Sequence, residues 1–524
     1  MRLTPLLLLG VSLPLLAQGA AKSTPASKYP AAPAAAMASI KEADLKRDLY
    51  AMAGDAMRGR EAGTLDEMRA SMWVAEQLRA IGVKPIGDDG TYFQWWNMRR
   101  TRVSTAASSV KSGGKALELW KDVVPTGNTE ADGAGAVVFV GDGSDSTVDV
   151  RGKVAVVTMS APPRAVLQEG TNTYEYRYAT SAIQSTTAKF RGRGAAAVVI
   201  IADSTADIAF DGYAAIRSRG TYDVEGGVPR FAPTAAGAAG AAGGGGRGAG
   251  GANGGGAMPS VVLLARRSAL TSFKNAGTIE AHIRMERFDA PSVNIVGVIK
   301  GTDPKLKDEY VLYSSHQDHD GVRFETQGDS IWNGADDNAS VSVALLATAR
   351  AFAKNPGKRS VLFVYHGAEE RGLLGSRYHA AHPVVPLQKI VAVLNGDMIG
   401  RNNPDSASLL GIQPPHKNSS ELVDMALAAN NLTGKFKLDS IWDRPTHPEG
   451  WYFRSDHVPY ARLNVPAIEY STNLHPDYHT VRDEPSRIDY AKLTRMTQWM
   501  YLTGWYVANV AKRPGIDPGF KLER

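Results

Sequence analysis

Residues 309–321 read EYVLYSSHQDHDG, residues 332–352 read WNGADDNASVSVALLATARAF, and residues 359–376 read RSVLFVYHGAEERGLLGS. The first and third contain short, near-continuous apolar runs of the kind that become fully buried strands, and the second carries a longer helical run. Strand, helix and strand in that order form the unit of a sheet covered on both faces. Each run also borders residues that bind cations or move protons: His316 and Asp318, Asp336 and Asp337, Glu369 and Glu370. Ligands of such sheets sit beyond the carboxyl ends of the strands, which is where several of these residues fall.

The alternation extends outward on both sides. Strands are expected at 293–299, 310–313, 360–365, 390–394 and 467–470, and helices at about 339–353, 419–430 and 486–511. Toward the N-terminus, Ile40, Leu45, Leu49 and Met52 approximate one helical face. A second helix is expected over 65–81, stopped by Gly82, and a strand with large aromatics at 94–98. From 106 to 285 the texture changes to short Val-rich runs at 136–140, 153–157, 195–202 and 261–264, separated by Gly and Asp, with one helix expected at 181–190. This stretch reads as a small β-rich inserted domain between a first part of the main domain, 39–105, and a second, 286–524. Within it, residues 235–257 are almost entirely Ala and Gly. They match GxGxxG at Gly243, Gly245 and Gly248, but they follow no strand and open no helix, so a surface loop is the better reading than a dinucleotide site.

Composition narrows the chemistry. A chain of 524 residues expects more than one domain, and 43% hydrophobic with 21% charged residues is ordinary for a globular protein. The formal charge of +6 is spread along the chain, which argues against nucleic acid as a partner. There is no cysteine, so any metal must be held by His, Asp and Glu. Residues 1–21, with Arg2, an apolar run from Leu6 to Leu16 and small residues after it, read as a cleavable signal peptide of a secreted or periplasmic protein. Residues 22–38 read as a Pro/Ala-rich flexible linker, and no later stretch is long and apolar enough to span a membrane.

The chemistry-bearing residues are individually ambiguous. Asp336 or Asn338 could simply cap the following helix, and a pair of glutamates is more often a solvated face. Crowded carboxylates next to a helix start repel one another unless a cation neutralises them, and a histidine ligand needs a partner for its second N–H, a place Asp318 could fill for His316. Asp397 in LNGDMIG repeats the strand-end placement, and His479 in HPDYHT follows the 467–470 strand, with His475 as its rival.

Taken in order, HQDH (316–319), GADDNAS (334–340), AEERGLLGS (368–376), NGDMIGR (395–401), SDHVPY (455–460) and DYHT (477–480) resemble the zinc aminopeptidases of peptidase family M28, some of which carry an inserted protease-associated (PA) domain. The resemblance covers about residues 40–100 and 290–510, with a looser match of the insert to the PA domain. It implies a three-layer α/β/α sandwich with a mixed, largely parallel central sheet, and two Zn2+ per chain, for which Co2+ or Mn2+ could substitute. One metal would be held by His316, Asp337 and Asp397, the other by Asp337, Glu370 and His479, with Asp336 in support. Glu369 would be the general base, Asp318 the residue orienting His316, and Tyr478 a hydrogen-bond donor to the oxyanion. Peptides with a free N-terminus would be the substrates. Glutaminyl cyclisation, acidic-dipeptide carboxypeptidase action and a non-catalytic binding role on the same fold are the competing expectations, and oligomeric state is left open.

Overall fold

The computed structural model describes residues 28–162, 174–225, 257–326 and 328–522. The signal-peptide expectation and nearly all of the Ala/Gly tract lie outside these residues. The central sheet runs, in spatial order, Lys437–Leu438, Ser406–Leu410, Ala467–Ser471, Ile390–Gly396, Tyr310–His316, Ser360–His366, Met285–Ile299, Phe93–Val103 and Thr221–Val224, with Lys84–Pro85 also paired to Met285–Ile299. It is mixed, and its parallel pairing is concentrated in four neighbouring central strands: Ala467–Ser471, Ile390–Gly396, Tyr310–His316 and Ser360–His366. The carboxyl ends of these four therefore lie along one edge.

Strand side chains alternate between the two faces, and both faces are covered. Val311, Tyr313, Val361, Phe363 and Tyr365 pack with the helices Glu42–Met52, Leu65–Ile81, Ser340–Lys354 and Tyr490–Asn509. Leu312, Leu362 and Val364 pack on the opposite face with Ala380 and with Tyr460 and Ala461 of the short helix His457–Arg462. This is the expected three-layer α/β/α sandwich. The helix Leu65–Ile81 has the predicted ends: the Thr64 hydroxyl accepts from the Asp66 N–H, and Gly82, at φ 92°, ends it in the left-handed conformation.

Residues 109–283 supply a second sheet of eight strands, in the order Lys115–Leu117, Ser109–Ser112, Thr278–Ile283, Ala131–Phe139, Val154–Thr158, Ala197–Ile201, Val262–Ala265 and Val123–Pro125. The helices Tyr174–Ala188 and Phe210–Arg219 pack on one of its faces. It is joined to the central sheet by a long antiparallel ribbon in which Phe93–Val103 pairs with Met285–Ile299 from Phe93 opposite Ile295 to Val103 opposite Met285. The strand expected at 293–299 is thus only the inner half of a 15-residue strand.

Two further features depart from the sequence expectation. Thr221–Val224 does not join the inserted sheet but adds to the outer edge of the central sheet, antiparallel to Phe93–Val103. Residues 28–38, expected as flexible linker, are packed where described: Ala34–Met37 is a helical turn with Ala36 buried, Tyr29 stacks on Tyr506 at 4.9 Å, and the Trp505 indole N–H donates to the Ala31 carbonyl. Aromatic burial and a satisfied indole outweigh the Pro/Ala composition there.

Candidate metal centre

Five loops at the carboxyl edge of the four parallel strands carry the predicted residues. His316 ends its strand, Glu369 and Glu370 follow Ser360–His366, Asp397 follows Ile390–Gly396, and His479 lies beyond Ala467–Ser471. Asp337 sits in the turn Ala335–Ala339, immediately before the helix Ser340–Lys354, and its peptide bond to Asn338 is cis. Ala368, Met398 and His479 adopt positive φ values of 54°, 53° and 52°, a costly left-handed conformation for non-glycine residues that clusters at functional sites.

The side chains converge in two adjacent groups. His316, Glu369 and Asp397 form one, with His316 Nε2 3.8 Å from Glu369 Oε2 and 3.7 Å from Asp397 Oδ1. Asp337, Glu370, His479 and His319 form the other, with His479 Nε2 3.1 Å from both Asp337 Oδ2 and Glu370 Oε2. Asp337 reaches both groups, since its Oδ1 lies 3.3 Å from His316 Nε2. Buried polar atoms normally find partners. Here His316 Nε2, His479 Nε2, both ring nitrogens of His319 and Glu370 Oε1 make no hydrogen bond among the described residues. Converging, desolvated nitrogen and carboxylate donors fit divalent cations of the zinc class.

Charge is correspondingly strained. Burial, then the Asp397, Glu370 and Asp456 carboxylates, push the Glu369 carboxyl well above the usual range against the pull of His316. Burial would raise Glu370 too, but His479 and His319 win and hold it well below its usual value. Burial opposes protonation of His479, yet Glu370 and Asp337 raise its pKa to about 9.

The supporting contacts refine several expectations. His316 Nδ1 donates to the main-chain carbonyl of Asp318 at 3.1 Å, while the Asp318 carboxylate stands 3.8 Å away. That carboxylate instead accepts the N–H groups of Glu369 and Glu370, so Asp318 orients His316 through its backbone and fixes the glutamate turn through its side chain. His475 does not compete for the cluster: its Nε2 lies 3.4 Å from Asp336, whose other oxygen accepts from the Gly400 N–H. The Tyr478 ring stacks on His479 with centroids 3.9 Å apart, and its hydroxyl accepts from Arg454 at 2.9 Å.

Sequence reasoning assigned no role to three residues that build the site. His319, the last residue of HQDH, has Nδ1 2.8 Å from Glu370 Oε1, and its spacing from His316 was the available signal. Asp483 accepts the N–H groups of Asp336 and Asp337, holding the aspartate turn. Arg60 is fully buried and donates to the carbonyls of Gln317, Asn333 and Gly334, tying the 317 and 334 loops together. No sequence signal links Arg60 or Asp483 to those loops.

Residues 294–503 match the family model described as Peptidase family M28. This segment is a peptidase family M28 domain. The chain is 26% identical over 243 residues to Aminopeptidase YwaD of Bacillus subtilis (strain 168), covering 45% of this chain and 49% of that protein. It is 27% identical over 226 residues to Leucine aminopeptidase 1 of Ajellomyces capsulatus (strain H88), covering 40% and 54%. It thus spans about half the length of these curated relatives. Among solved structures, BSAP, a zinc aminopeptidase from Bacillus subtilis, superposes with a TM-score of 0.53 at 18% identity over 92% of this chain and 98% of that one. The aminopeptidase from Aneurinibacillus sp. strain AM-1 gives 0.51 at 17%, over 92% and 97%. At such identities the likeness is one of fold. It extends across the inserted sheet as well as the M28 domain.

Proposed function

We propose that the protein is an exported dinuclear zinc aminopeptidase that removes N-terminal residues from peptides. The observation that carries this reading is the pair of adjacent donor groups sharing Asp337 at the carboxyl edge of an M28 domain. His316, Asp337 and Asp397 would hold one metal and Asp337, Glu370 and His479 the other. Such a pair supplies Lewis acidity, which makes water a better nucleophile and polarises the scissile carbonyl.

The chain's own groups do the rest. Glu369, a buried carboxyl with raised proton affinity, takes a proton from the attacking water and returns it to the leaving amine. The Tyr478 hydroxyl accepts from Arg454, which leaves its own proton to donate to the developing oxyanion. The Glu369 turn is held by Asp318 and the Asp337 turn by Asp483, so both enter the reaction already oriented. We assign residues 106–285 as a PA-like insert bordering the cleft, and residues 1–21 as the export signal, on their charged, apolar and small-residue pattern. Among the described residues no helix is long and apolar enough to cross a membrane.

The test is Glu369→Gln, assayed on aminoacyl-nitroanilides beside N-blocked peptides, with metal content measured in parallel. The variant should keep its metals and lose turnover by about 100-fold or more. Near-normal hydrolysis, or equal cleavage of N-blocked peptides by the parent enzyme, defeats the assignment.

A further inference from the structure

Between the inserted sheet and the central sheet lies a cavity of about 410 Å³, lined from the insert by Trp120, Ser218 and Arg219 and from the central-sheet side by Glu61, Arg100 and Arg323. Arg371 stands beside it, its Nη2 3.6 Å from Glu61. Four guanidinium groups thus meet at one seam. Arg100 comes from the connecting ribbon, Arg219 from the end of an inserted helix, Arg323 from the Gly321–Thr326 strand, and Arg371 from the residue after Glu370.

Two carboxylates answer them. Asp320 takes Arg219 at 3.0 Å, Arg371 at 3.3 Å and also Arg323, while Glu61 is shared between Arg219 at 3.7 Å and Arg371. Asp211, on the cavity wall, is already paired with Arg266. Arg100 has no carboxylate within ion-pair reach among the described residues. Its one hydrogen bond there runs from Nε to the Arg219 carbonyl, and its guanidinium lies over the Tyr222 ring. Arg371 Nε and Nη2 are buried and also lack hydrogen-bond partners. Among the described residues, four guanidinium groups thus share two carboxylates within ion-pair reach, a local surplus of positive charge with forked donors unspent. Burying uncompensated charge is expensive, and an anion entering the cavity offsets that cost. Guanidinium forks match carboxylate geometry in particular.

We propose that this cavity is a carboxylate-binding site, taking the acidic side chain or C-terminal carboxylate of a short peptide. Choosing a carboxylate over other anions rests on the peptidase reading; the surplus charge does not. The site abuts the proposed metal centre, because Asp320, which gathers three of the arginines, also lies 3.3 Å from His479 Nδ1. A ligand here would be sensed one residue away from a predicted metal ligand.

Glutarate is the probe, since it carries carboxylates but no peptide bond and so reports binding whether or not the chain hydrolyses peptides. Calorimetric titration of the metal-loaded protein should give saturable, salt-sensitive glutarate binding. Arg100→Gln should weaken it by about tenfold, the worth of one charge-assisted hydrogen bond, with metal content unchanged, and Arg100→Lys should fall between. Arg100 is only partly buried, so these variants are compatible with folding. Kinetics with peptides differing only in one acidic residue then separate the sources. A KM preference for the acidic peptide that Arg100→Gln abolishes marks the substrate's own carboxylate, and glutarate binding without that preference marks a free carboxylate. Absence of saturable binding up to tens of millimolar, undiminished binding in Arg100→Gln, or binding of inorganic phosphate but not glutarate overturns the proposal.

Discussion

Arg177, on the inserted helix Tyr174–Ala188, grips Glu449 with both Nη groups, and the same glutamate accepts from Arg454 at 2.9 Å. Arg454 in turn holds the Tyr478 hydroxyl at 2.9 Å beside His479. The insert therefore braces the wall of the proposed catalytic cleft through a forked ion pair. Arg177→Ala should leave metal content intact and lower kcat by about tenfold, the scale of a mispositioned hydrogen-bond donor. Arg177→Lys should recover only part of it, because an ammonium cannot reproduce the fork. Unchanged kcat in the alanine variant would detach the insert from this role.

Removing metal should expose the crowding of His316, His319, Asp337, Glu370 and His479. Chelation should lower Tm, and zinc at about 100-fold its Kd should raise it again by adding roughly 3 kcal/mol of stability. Asp337→Ala, which removes the carboxylate reaching both groups, should bind fewer metals and show little zinc-dependent gain. A full zinc response in that variant would show that Asp337 is not the shared ligand.

The metal-free protein should also lose stability as pH rises. Its folded His479 holds a proton up to about pH 9, against an ordinary value of 6.5. Because the folded pKa is the higher one, this contribution is fully present below about 6.5 and disappears as pH climbs through about 9. Tm of the chelated protein should decline over that window, and His479→Gln should flatten the decline. Zinc loading should reverse the trend, since the imidazole must be unprotonated to bind metal. A pH-independent Tm in the chelated parent protein contradicts the raised value.

Gly504 marks a close approach far from the site. A Cβ there would stand 1.8 Å from the hydroxyl of Tyr313, which donates to the Met500 and Tyr501 carbonyls. Gly504→Ala should cost roughly 1–3 kcal/mol in chemical denaturation while leaving metal content unchanged. A neutral result would mean that the helix Tyr490–Asn509 can shift off its strand.

The apolar runs at 310–313, 360–365 and 390–394 determined the central strands without tertiary help, because nearly every side chain there is apolar and becomes buried whichever way it points, and the strands run on by one to three residues. The motifs likewise marked His316, Asp337, Glu370, Asp397 and His479, since strand ends and a helix start are local features. Partnership was not local. Only the folded chain placed His475 on Asp336, turned the Asp318 carboxylate to the glutamate turn, and brought His319 against Glu370. Arg60 and Asp483 were illegible for the same reason: their partners lie 257 and 147 residues away, and a charge in a turn gives no hint of which distant backbone groups it will satisfy. The Thr221–Val224 strand was missed because edge pairing depends on which sheet comes within reach, a matter decided by the ribbon joining the two sheets. Short-range pattern thus determined the elements and the residue types of the site, while long-range pairing decided which of those residues face one another.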